Sequence, residues 1–291
     1  LAYDLNTNKE VWRYEHKLGT TIYCCGPNNR GVAIHGGAHV YMGSLDARLV
    51  ALDAKTGEVL WDKEVADPAF GYSITHAPLI VGDNVIVGVS GGEYGIRGHV
   101  TAYNAGSGEQ VWRWYSIPAP KGDPTYDDKA PNGWFGTWTP TTPEGVNLNR
   151  DIAKEKADSA KFADSWQRGG GGVWMTPAYD KESHSLFEAV GNPSPDLDGS
   201  VRPGDNLYTD AVVAIDATSG KTKWYYQTVP HDVWDLDAVS PPVVTRVGNQ
   251  KVVVHAGKTG WMYILDAATG KLVRKSTNFV PHENIFALPT P

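Results

Sequence analysis

Several features that would define other classes of protein are scarce in this chain of 291 residues. Charged residues make up only 20%, the net charge is −7 and no basic patch occurs, which argues against a nucleic-acid partner. No apolar run approaches the roughly 18 residues of a membrane-spanning helix. There are only two cysteines, Cys24 and Cys25, and as immediate neighbours they have no other partner in this chain.

The composition favours a packed domain that is rich in turns. Hydrophobic residues reach 41%, enough for a core, and 32 glycines with 19 prolines indicate many turns rather than long helices. The chain starts at Leu1 without an initiator methionine or a signal peptide, and residues 2–5 already read as a strand within a repeat. We therefore expect an internal segment of a longer protein, for which a missing targeting signal says nothing about the compartment.

One phrase recurs along the chain and predicts a hairpin each time. Its copies are AYDLNTNKEVW (2–12), ALDAKTGEVLW (51–61), AYNAGSGEQVW (102–112), AIDATSGKTKW (214–224) and ILDAATGKLVR (264–274). An Asp or Asn ends the first strand, a residue pair such as Thr-Gly allows the turn, and the second strand runs into a Trp, or into Arg274 in the last copy. A Trp at a fixed position suits packing between adjacent sheets.

The spacing of the copies predicts an all-β propeller. Three of the four intervals are 49, 51 and 50 residues, the length of a four-stranded blade, whereas a β-sandwich is the alternative. The fourth interval, 112 residues, indicates an insertion of roughly 48 residues within about 115–170, with a short helix at about 150–165. About four to five blades are therefore visible, with tryptophan-mediated docking between them.

Two departures from the repeat lie in the first third of the chain. Adjacent cysteines can form a strained disulfide in an oxidising compartment, or remain two reduced and buried thiols. Glu93 stands in a glycine-rich loop (88–100) directly after an inner strand, where it could reach a ligand, although a solvated Glu in a long turn has the same sequence.

Further departures follow in the second half. The run RGGGGVW (168–174) would allow a close backbone approach and present Trp174, and Asn192 ends an inner strand with an amide oxygen suited to a hard cation. A flexible linker, a core Trp and a turn Asn are the alternative.

The segment PHDVWDLD (230–237) contains three aspartates, and alternation would place Asp235 and Asp237 on one side, where two unpaired acids need a cation, a raised pKa or open water. Lys258 follows another inner strand. A solvated acidic loop and an ordinary exposed lysine are the alternatives. Together, however, the singled-out residues share one location, the inner-strand ends that converge on the axis of a propeller.

These residues resemble the quinoprotein alcohol dehydrogenases, which include methanol and ethanol dehydrogenases that depend on pyrroloquinoline quinone (PQQ). The motifs are the CC pair with Arg30, the GGExGxRG loop, GGGxxW followed by GNP and RPGDN, and PHDxWD. The resemblance implies that residues 1–291 are part of a single PQQ-binding domain, an eight-bladed propeller about twice as long as this chain.

The resemblance also implies which residues bind the cofactor. Cys24 and Cys25 would form a disulfide above the PQQ ring, Trp174 would stack below it, and Lys258 would bond its reactive oxygen. The cofactor carboxylates would be held by Arg30, Thr75 and Ser90.

A metal site is implied beside the cofactor. Glu93, Asn192 and Asp235 would bind the ion, with Asp235 also the catalytic base. Asp237 resembles the additional carboxylate of the lanthanide-dependent branch, and a trivalent ion would favour it. A similar D-x-D occurs in sugar-oxidising quinoproteins that use divalent metals, so Ca²⁺ stays open beside a lanthanide.

The activity implied is oxidation of a primary alcohol to an aldehyde by hydride transfer to metal-bound PQQ, with electrons passed to a cytochrome c. A periplasmic location, no membrane-spanning segment and a homodimer of the whole protein are further expectations. Two alternatives remain: a non-catalytic periplasmic propeller scaffold, and a PQQ-dependent sugar dehydrogenase, against which the CC pair and the GGGxxW match argue.

Overall fold

The computed structural model describes residues 1–281 and 285–286, and the described chain is built from antiparallel sheets. A two-stranded hairpin, β1 (Ala2–Tyr3) with β2 (Glu10–Trp12), comes first. Four sheets of four strands follow in chain order, and the first two contain β3 (Ala33–His35), β4 (His39–Gly43), β5 (Arg48–Asp53) and β6 (Val59–Glu64), and then β7 (Leu79–Val81), β8 (Asn84–Gly88), β9 (His99–Asn104) and β10 (Gln110–Tyr115). The third sheet contains β11 (Ala178–Asp180), β12 (Ser185–Ala189), β13 (Ala211–Asp216) and β14 (Thr222–Gln227). The fourth sheet contains β15 (Val243–Val247), β16 (Gln250–Ala256), β17 (Met262–Asp266) and β18 (Leu272–Lys275).

Each four-stranded sheet is a simple meander in which strands adjacent in sequence are hydrogen-bonded neighbours. This is the arrangement of a propeller blade, and the predicted all-β propeller fold is confirmed. The number of blades in a complete ring stays a prediction. No helix in the described part of the chain is long and apolar enough to cross a membrane.

The recurring phrase forms the hairpin between the third and fourth strand of each sheet, for the reason predicted. In the first full sheet, Oδ1 of Asp53 accepts hydrogen bonds from the backbone amides of Lys55 (2.8 Å) and Thr56 (2.9 Å). Gly57 then takes a left-handed conformation with φ of 75°, which glycine adopts without steric cost. The turn is thus closed by hydrogen bonds between residues of the phrase itself.

The tryptophans at the end of the phrase join each sheet to the next, as predicted. Every indole Nε1 donates to a backbone carbonyl in the hairpin of the following sheet at 3.0–3.1 Å: Trp12 to Ala54, Trp61 to Ala105, Trp112 to Ala217 and Trp224 to Ala267. The hairpin glycines lie against these rings, and a Cβ added to them would fall 2.4–2.8 Å from a ring atom. The glycines are Gly57, Gly108, Gly220 and Gly270.

The long interval between repeats is a single connection, residues 116–177, between β10 and β11. It contains one α-helix, α1 (Ile152–Asp158), which is shorter than the helix predicted at about 150–165. Its N-terminus is capped by Asp151, which accepts from the amide of Lys154 at 3.0 Å. Beyond Asp158 the backbone bonds span three residues, as in Lys161 to Asp158 (2.9 Å), so the chain tightens into turns.

The apolar core lies between neighbouring sheets. Tyr41 and Leu49 of the first four-stranded sheet pack with Val85 and Val87 of the second, and all four side chains are fully buried. This packing fixes the sheets side by side, so that the loops following their second strands meet at one place.

Candidate functional site

A cavity of about 270 Å³ lies where loops from several sheets meet. All the site residues predicted from the sequence line it except Asn192, whose backbone amide donates a hydrogen bond to the lining residue Asp237. The lining residues are Cys24, Cys25, Asn28, Arg30, Thr75, Ser90, Gly91, Glu93, Trp174, Asp235, Asp237 and Lys258. The two that the sequence did not single out are Asn28 and Gly91. Asn28 stands two residues before Arg30 and accepts a hydrogen bond from its guanidinium at 2.8 Å, a contact that the PNNR sequence hints at only by proximity.

Cys24 and Cys25 form a disulfide, which rules out the alternative of two reduced thiols. Cys25 has a left-handed backbone, with φ of 64°, which a non-glycine residue rarely adopts. The two sulfur atoms and a carboxylate oxygen of Glu93 all lie within 4.8 Å of one another. Since the sulfurs are bonded to each other, they are not available as thiolate ligands. The disulfide instead forms part of the cavity wall beside Glu93.

The indole of Trp174 provides a flat surface in the same cavity. Its backbone carbonyl accepts a hydrogen bond from Oγ1 of Thr75 at 3.2 Å, and the Arg30 guanidinium carbon lies 5.2 Å from its ring centroid. The backbone carbonyl of Thr75 accepts from the amide of Arg30 at 3.0 Å. The hydroxyl of Ser90 is 2.6 Å from that of Ser73. One wall thus combines an aromatic face, a guanidinium and two hydroxyl groups.

The glycine run before Trp174 holds the loops of Glu93 and Asn192 together. The amide of Gly170 donates to Ile96 at 2.8 Å, in the loop that carries Glu93, and the amide of Gly171 donates to the carbonyl of Asn192 at 2.9 Å. Both glycines have positive φ, 77° and 61°, and a Cβ on Gly170 would fall 3.0 Å from the Asn192 carbonyl oxygen. The glycine run is therefore held by hydrogen bonds to loops of two neighbouring sheets, and Gly170 and Gly171 lie close to the backbone of those loops.

The acidic end of the cavity is organised around Lys258. Its ammonium lies 2.7 Å from Oδ2 of Asp237 and 3.0 Å from Oδ2 of Asp235. The other oxygen of Asp237 accepts from the backbone amide of Asn192 at 2.6 Å. Asp235 itself has a left-handed backbone, with φ of 62°, a sparsely populated conformation that often marks a functional site.

Burial is the main influence on the pKa values of Asp237 and Glu93. It raises the pKa of Asp237 to about 6, although the Lys258 ammonium and the Asn192 amide act in the opposite direction. Burial also raises the pKa of Glu93, and the negative charges of Asp196 and Asp235 add to this. For Lys258, burial alone would lower the pKa, but Asp237 and then Asp235 outweigh it, so its pKa is raised.

The buried Asp232 orders the backbone that presents Asp235, a role that sequence reasoning did not assign. Its two carboxylate oxygens accept hydrogen bonds from the amides of Trp234 (2.9 Å) and Leu236 (2.7 Å). The fully buried Arg202 donates to its backbone carbonyl. The available signal was the spacing of the three aspartates, since an Asp two residues before a turn can bond the amides that follow.

The donor set at the acidic end fits a hard cation. Glu93, Asp235 and Asp237 offer carboxylate oxygens, and Asn192 offers an amide oxygen. The amide nitrogen of Asn192 donates to the carbonyl of Pro193 at 3.1 Å, which leaves its side-chain oxygen to accept or ligate. Oxygen-only sets of this kind suit Ca²⁺ and lanthanide ions rather than soft metals.

The fold and the cavity define a β-propeller protein with an oxygen-rich site covered by a disulfide and faced by a tryptophan. Residues 1–144 and 149–285 match the PQQ family described as glucose/ethanol/alcohol dehydrogenase, beta-propeller domain. The chain therefore belongs to the family of PQQ-dependent dehydrogenases, as the motifs predicted.

Individual relatives agree with this assignment. The chain is 39% identical over 284 residues to quinohemoprotein alcohol dehydrogenase ADH IIB of Pseudomonas putida, covering 94% of this chain and 38% of that protein. It is 35% identical over 280 residues to the lanthanide-dependent methanol dehydrogenase of Methylorubrum extorquens, covering 94% and 44%. Among solved structures, a europium-containing methanol dehydrogenase has a TM-score of 0.76 at 32% identity, covering 93% and 45%. The chain thus spans less than half the length of these relatives.

Proposed function

We propose that the whole protein oxidises a primary alcohol to an aldehyde, and that this chain supplies its cofactor and metal contacts. The observation that carries the proposal is the convergence of a disulfide, an indole and oxygen ligands on one cavity. Bound PQQ would supply the acceptor for the hydride that leaves the alcohol carbon. Trp174 would offer a flat surface to the planar cofactor, and Cys24–Cys25 would cover it.

The residues of this chain have distinct roles in the proposed reaction. Asp235 takes the hydroxyl proton of the alcohol as a general base, since its carboxylate lines the cavity and is half exposed. Lys258 bridges Asp235 and Asp237 and provides a positive charge beside the reacting atoms. Arg30, with Thr75 and Ser90, offers hydrogen-bond donors for the carboxylates of the cofactor.

Glu93, Asn192, Asp235 and Asp237 would hold the metal ion. The four oxygen donors, three of them ionisable, make a lanthanide the first candidate, with Ca²⁺ as the second. Support comes from Asp237, which is buried and tied to Asn192, so that it stands among the other ligands. Binding of the cation would favour the ionised form of acids whose pKa values burial has raised.

The partners of the whole protein are proposed on family grounds. A cytochrome c is the electron acceptor, the periplasm is the compartment, and the protein forms a homodimer. An oxidising compartment suits the disulfide between Cys24, which is partly buried, and Cys25, which is exposed. These proposals concern parts of the protein beyond this chain as well.

The test uses the whole protein freed of metal and cofactor. It is reconstituted with PQQ and either La³⁺ or Ca²⁺, and alcohol-dependent reduction of an artificial dye is measured. We expect activity only when both PQQ and a metal are present, and a loss of more than about a hundredfold in Asp235→Asn. A protein that binds PQQ yet reduces no dye with any primary alcohol would contradict the proposal.

The two alternative functions predict other results in this assay. A scaffold would bind neither PQQ nor metal, which the charged, disulfide-covered cavity argues against. A sugar dehydrogenase would bind both and reduce the dye with aldoses rather than alcohols. Comparing ethanol, a longer primary alcohol and glucose as substrates separates the three.

A further inference from the structure

The segment that carries the disulfide connects β2 to β3 without regular secondary structure. Its first part is held by one buried carboxylate, that of Asp46 in the turn between β4 and β5. Nε2 of His16 donates to it, 2.9 Å from Oδ1 and 3.0 Å from Oδ2. The backbone amide of Gly19 donates to Oδ2 at 3.0 Å. Asp46 therefore anchors the chain at two points just before the disulfide.

A second anchor lies just after the disulfide. The side-chain amide of Asn29 donates to the carbonyl of Gly43 at 2.9 Å, and the backbone amide of Arg30 donates to the carbonyl of Thr75 at 3.0 Å. Between the anchors, residues 20–28 of the described chain make hydrogen bonds only with one another and with Arg30. We call residues 20–28 the disulfide segment.

The disulfide segment is a thin cover over the cavity. Cys24, Cys25 and Asn28 line the cavity, and Cys25, Gly26 and Pro27 are exposed to solvent. Since no hydrogen bond ties the segment to the sheets between its anchors, its position over the cavity depends on the anchors themselves.

Asp46 is built as a strong acceptor. Its side chain is only 5% exposed, and the hydroxyl of Ser44 also donates to it. Burial alone would raise the pKa of Asp46, but the hydrogen bonds from Ser44, Gly19 and His16 outweigh it and hold the pKa below its usual range. The carboxylate is thus ionised and fully engaged, and hydrogen bonds to ionised groups are the stronger kind.

We propose that Asp46 is the positioning residue of the disulfide segment and, by holding His16 and Gly19, sets how often Cys24 and Cys25 move away from the cavity. In the holoprotein the same opening sets the rate at which the cofactor leaves. Only this last consequence rests on the proposed function, because it requires PQQ in the cavity. The anchoring itself is a property of the protein without cofactor.

The first experiment needs no cofactor. In metal-free and PQQ-free whole protein, the rate at which dithiothreitol reduces Cys24–Cys25 is followed by alkylation and mass measurement. Asp46→Asn keeps the shape but loses the charge, and we expect reduction to accelerate about tenfold or more. The matched control is Asp62→Asn, which breaks an exposed pair with Arg48 (2.8 Å) in the same sheet and should change the rate by less than about twofold.

The second experiment follows the release of PQQ from the reconstituted protein after dilution, by loss of its absorbance. We expect faster release in Asp46→Asn and, to a smaller degree, in His16→Gln, with Asp62→Asn like the wild type. Reduction and release rates equal to those of Asp62→Asn would overturn the proposal. So would acceleration that merely follows a lowered unfolding midpoint, since that is general destabilisation. If the wild type binds no PQQ, the proposed function is wrong, but the reduction rates still test whether Asp46 holds the disulfide segment in place.

Discussion

Substituting Gly220 by Ala tests the tryptophan docking between sheets directly. Gly220 has φ of 70°, and a Cβ there would fall 2.7 Å from Cε3 and 2.8 Å from Cδ2 of Trp112. The ring has little room to retreat, because Trp112 is 7% exposed and its Nε1 is bonded to Ala217 at 3.0 Å. The new methyl group must therefore push two sheets apart or break the indole hydrogen bond.

The magnitude follows from two separate costs. An alanine in the left-handed region costs about 1–2 kcal/mol, and overpacking against a fixed ring adds about 1–3 kcal/mol. Gly248→Ala isolates the first cost, since Gly248 has φ of 60° and nothing lies within 4 Å of its added Cβ. We therefore expect Gly220→Ala to lower the free energy of unfolding by about 2–5 kcal/mol and Gly248→Ala by about 1–2 kcal/mol.

The assay is urea unfolding of the whole protein and the two variants, monitored by tryptophan fluorescence and by circular dichroism. The docking argument requires a lower midpoint for Gly220→Ala than for Gly248→Ala, seen with both probes. Equal midpoints would show that the contact with Trp112 carries no energetic weight, and that the hairpins do not lock the sheets together. Lower stability in Gly248→Ala than in Gly220→Ala would refute the reasoning outright.

Three further predictions concern stability and metal binding. Arg150→Met should lower the free energy of unfolding in urea by about 3–5 kcal/mol, because Arg150 lies 2.7 Å from each of two largely buried carboxylates, those of Glu155 and Asp205. The control Lys154→Met removes an exposed ion pair and should cost under about 1 kcal/mol. Similar losses in the two variants would contradict this. Burial raises the pKa of Asp210 well above 3.8, so the folded state retains a proton that the unfolded state loses. The free energy of unfolding of the wild type should therefore fall, relative to that of Asp210→Asn, as the pH rises above 3.8. A difference in unfolding free energy that stays constant with pH would contradict this. Chelation of the reconstituted protein should lower its melting temperature, by the equivalent of about 4 kcal/mol at a thousandfold excess of metal over the dissociation constant, and Glu93→Gln should show a smaller drop; an equal drop would remove Glu93 from the ligand set.

The fold could be predicted because its signals are local and repeated. Asp53, Gly57 and Trp61 each perform, within eleven residues, a task that recurs in the other sheets, so the phrase shows both the hairpin and its period. The long connection between β10 and β11 was visible as an interval between repeats that exceeds the length of one blade. Its helix was predicted too long because helical composition continues past Asp158, while the backbone there forms turns with three-residue spacing.

The candidate site was predictable only as a set of residue types at comparable places in successive repeats. Glu93, Asn192 and Lys258 follow the second strand of three successive sheets, Asp235 follows the last strand of the third four-stranded sheet, and the propeller brings them to one end. Their roles in binding and catalysis remain predictions, since the structure shows where side chains lie and the resemblance supplies the rest.

What sequence reasoning missed consists of contacts between residues far apart in the chain. Asp46 lies in a turn that reads as ordinary hairpin sequence, yet it binds His16 thirty residues earlier. Arg202, which stood out in the sequence only within the RPGDN motif, is fully buried, and carbonyl groups from two loops surround its guanidinium. Neither residue is itself a recognisable departure from the repeated sequence, but each holds in place a loop that departs from it. The sheets of this fold can be predicted from local sequence, but the loops that form the site are held by contacts such as these. Because the contacting residues are far apart in the chain, the pairs can be identified only in the folded structure.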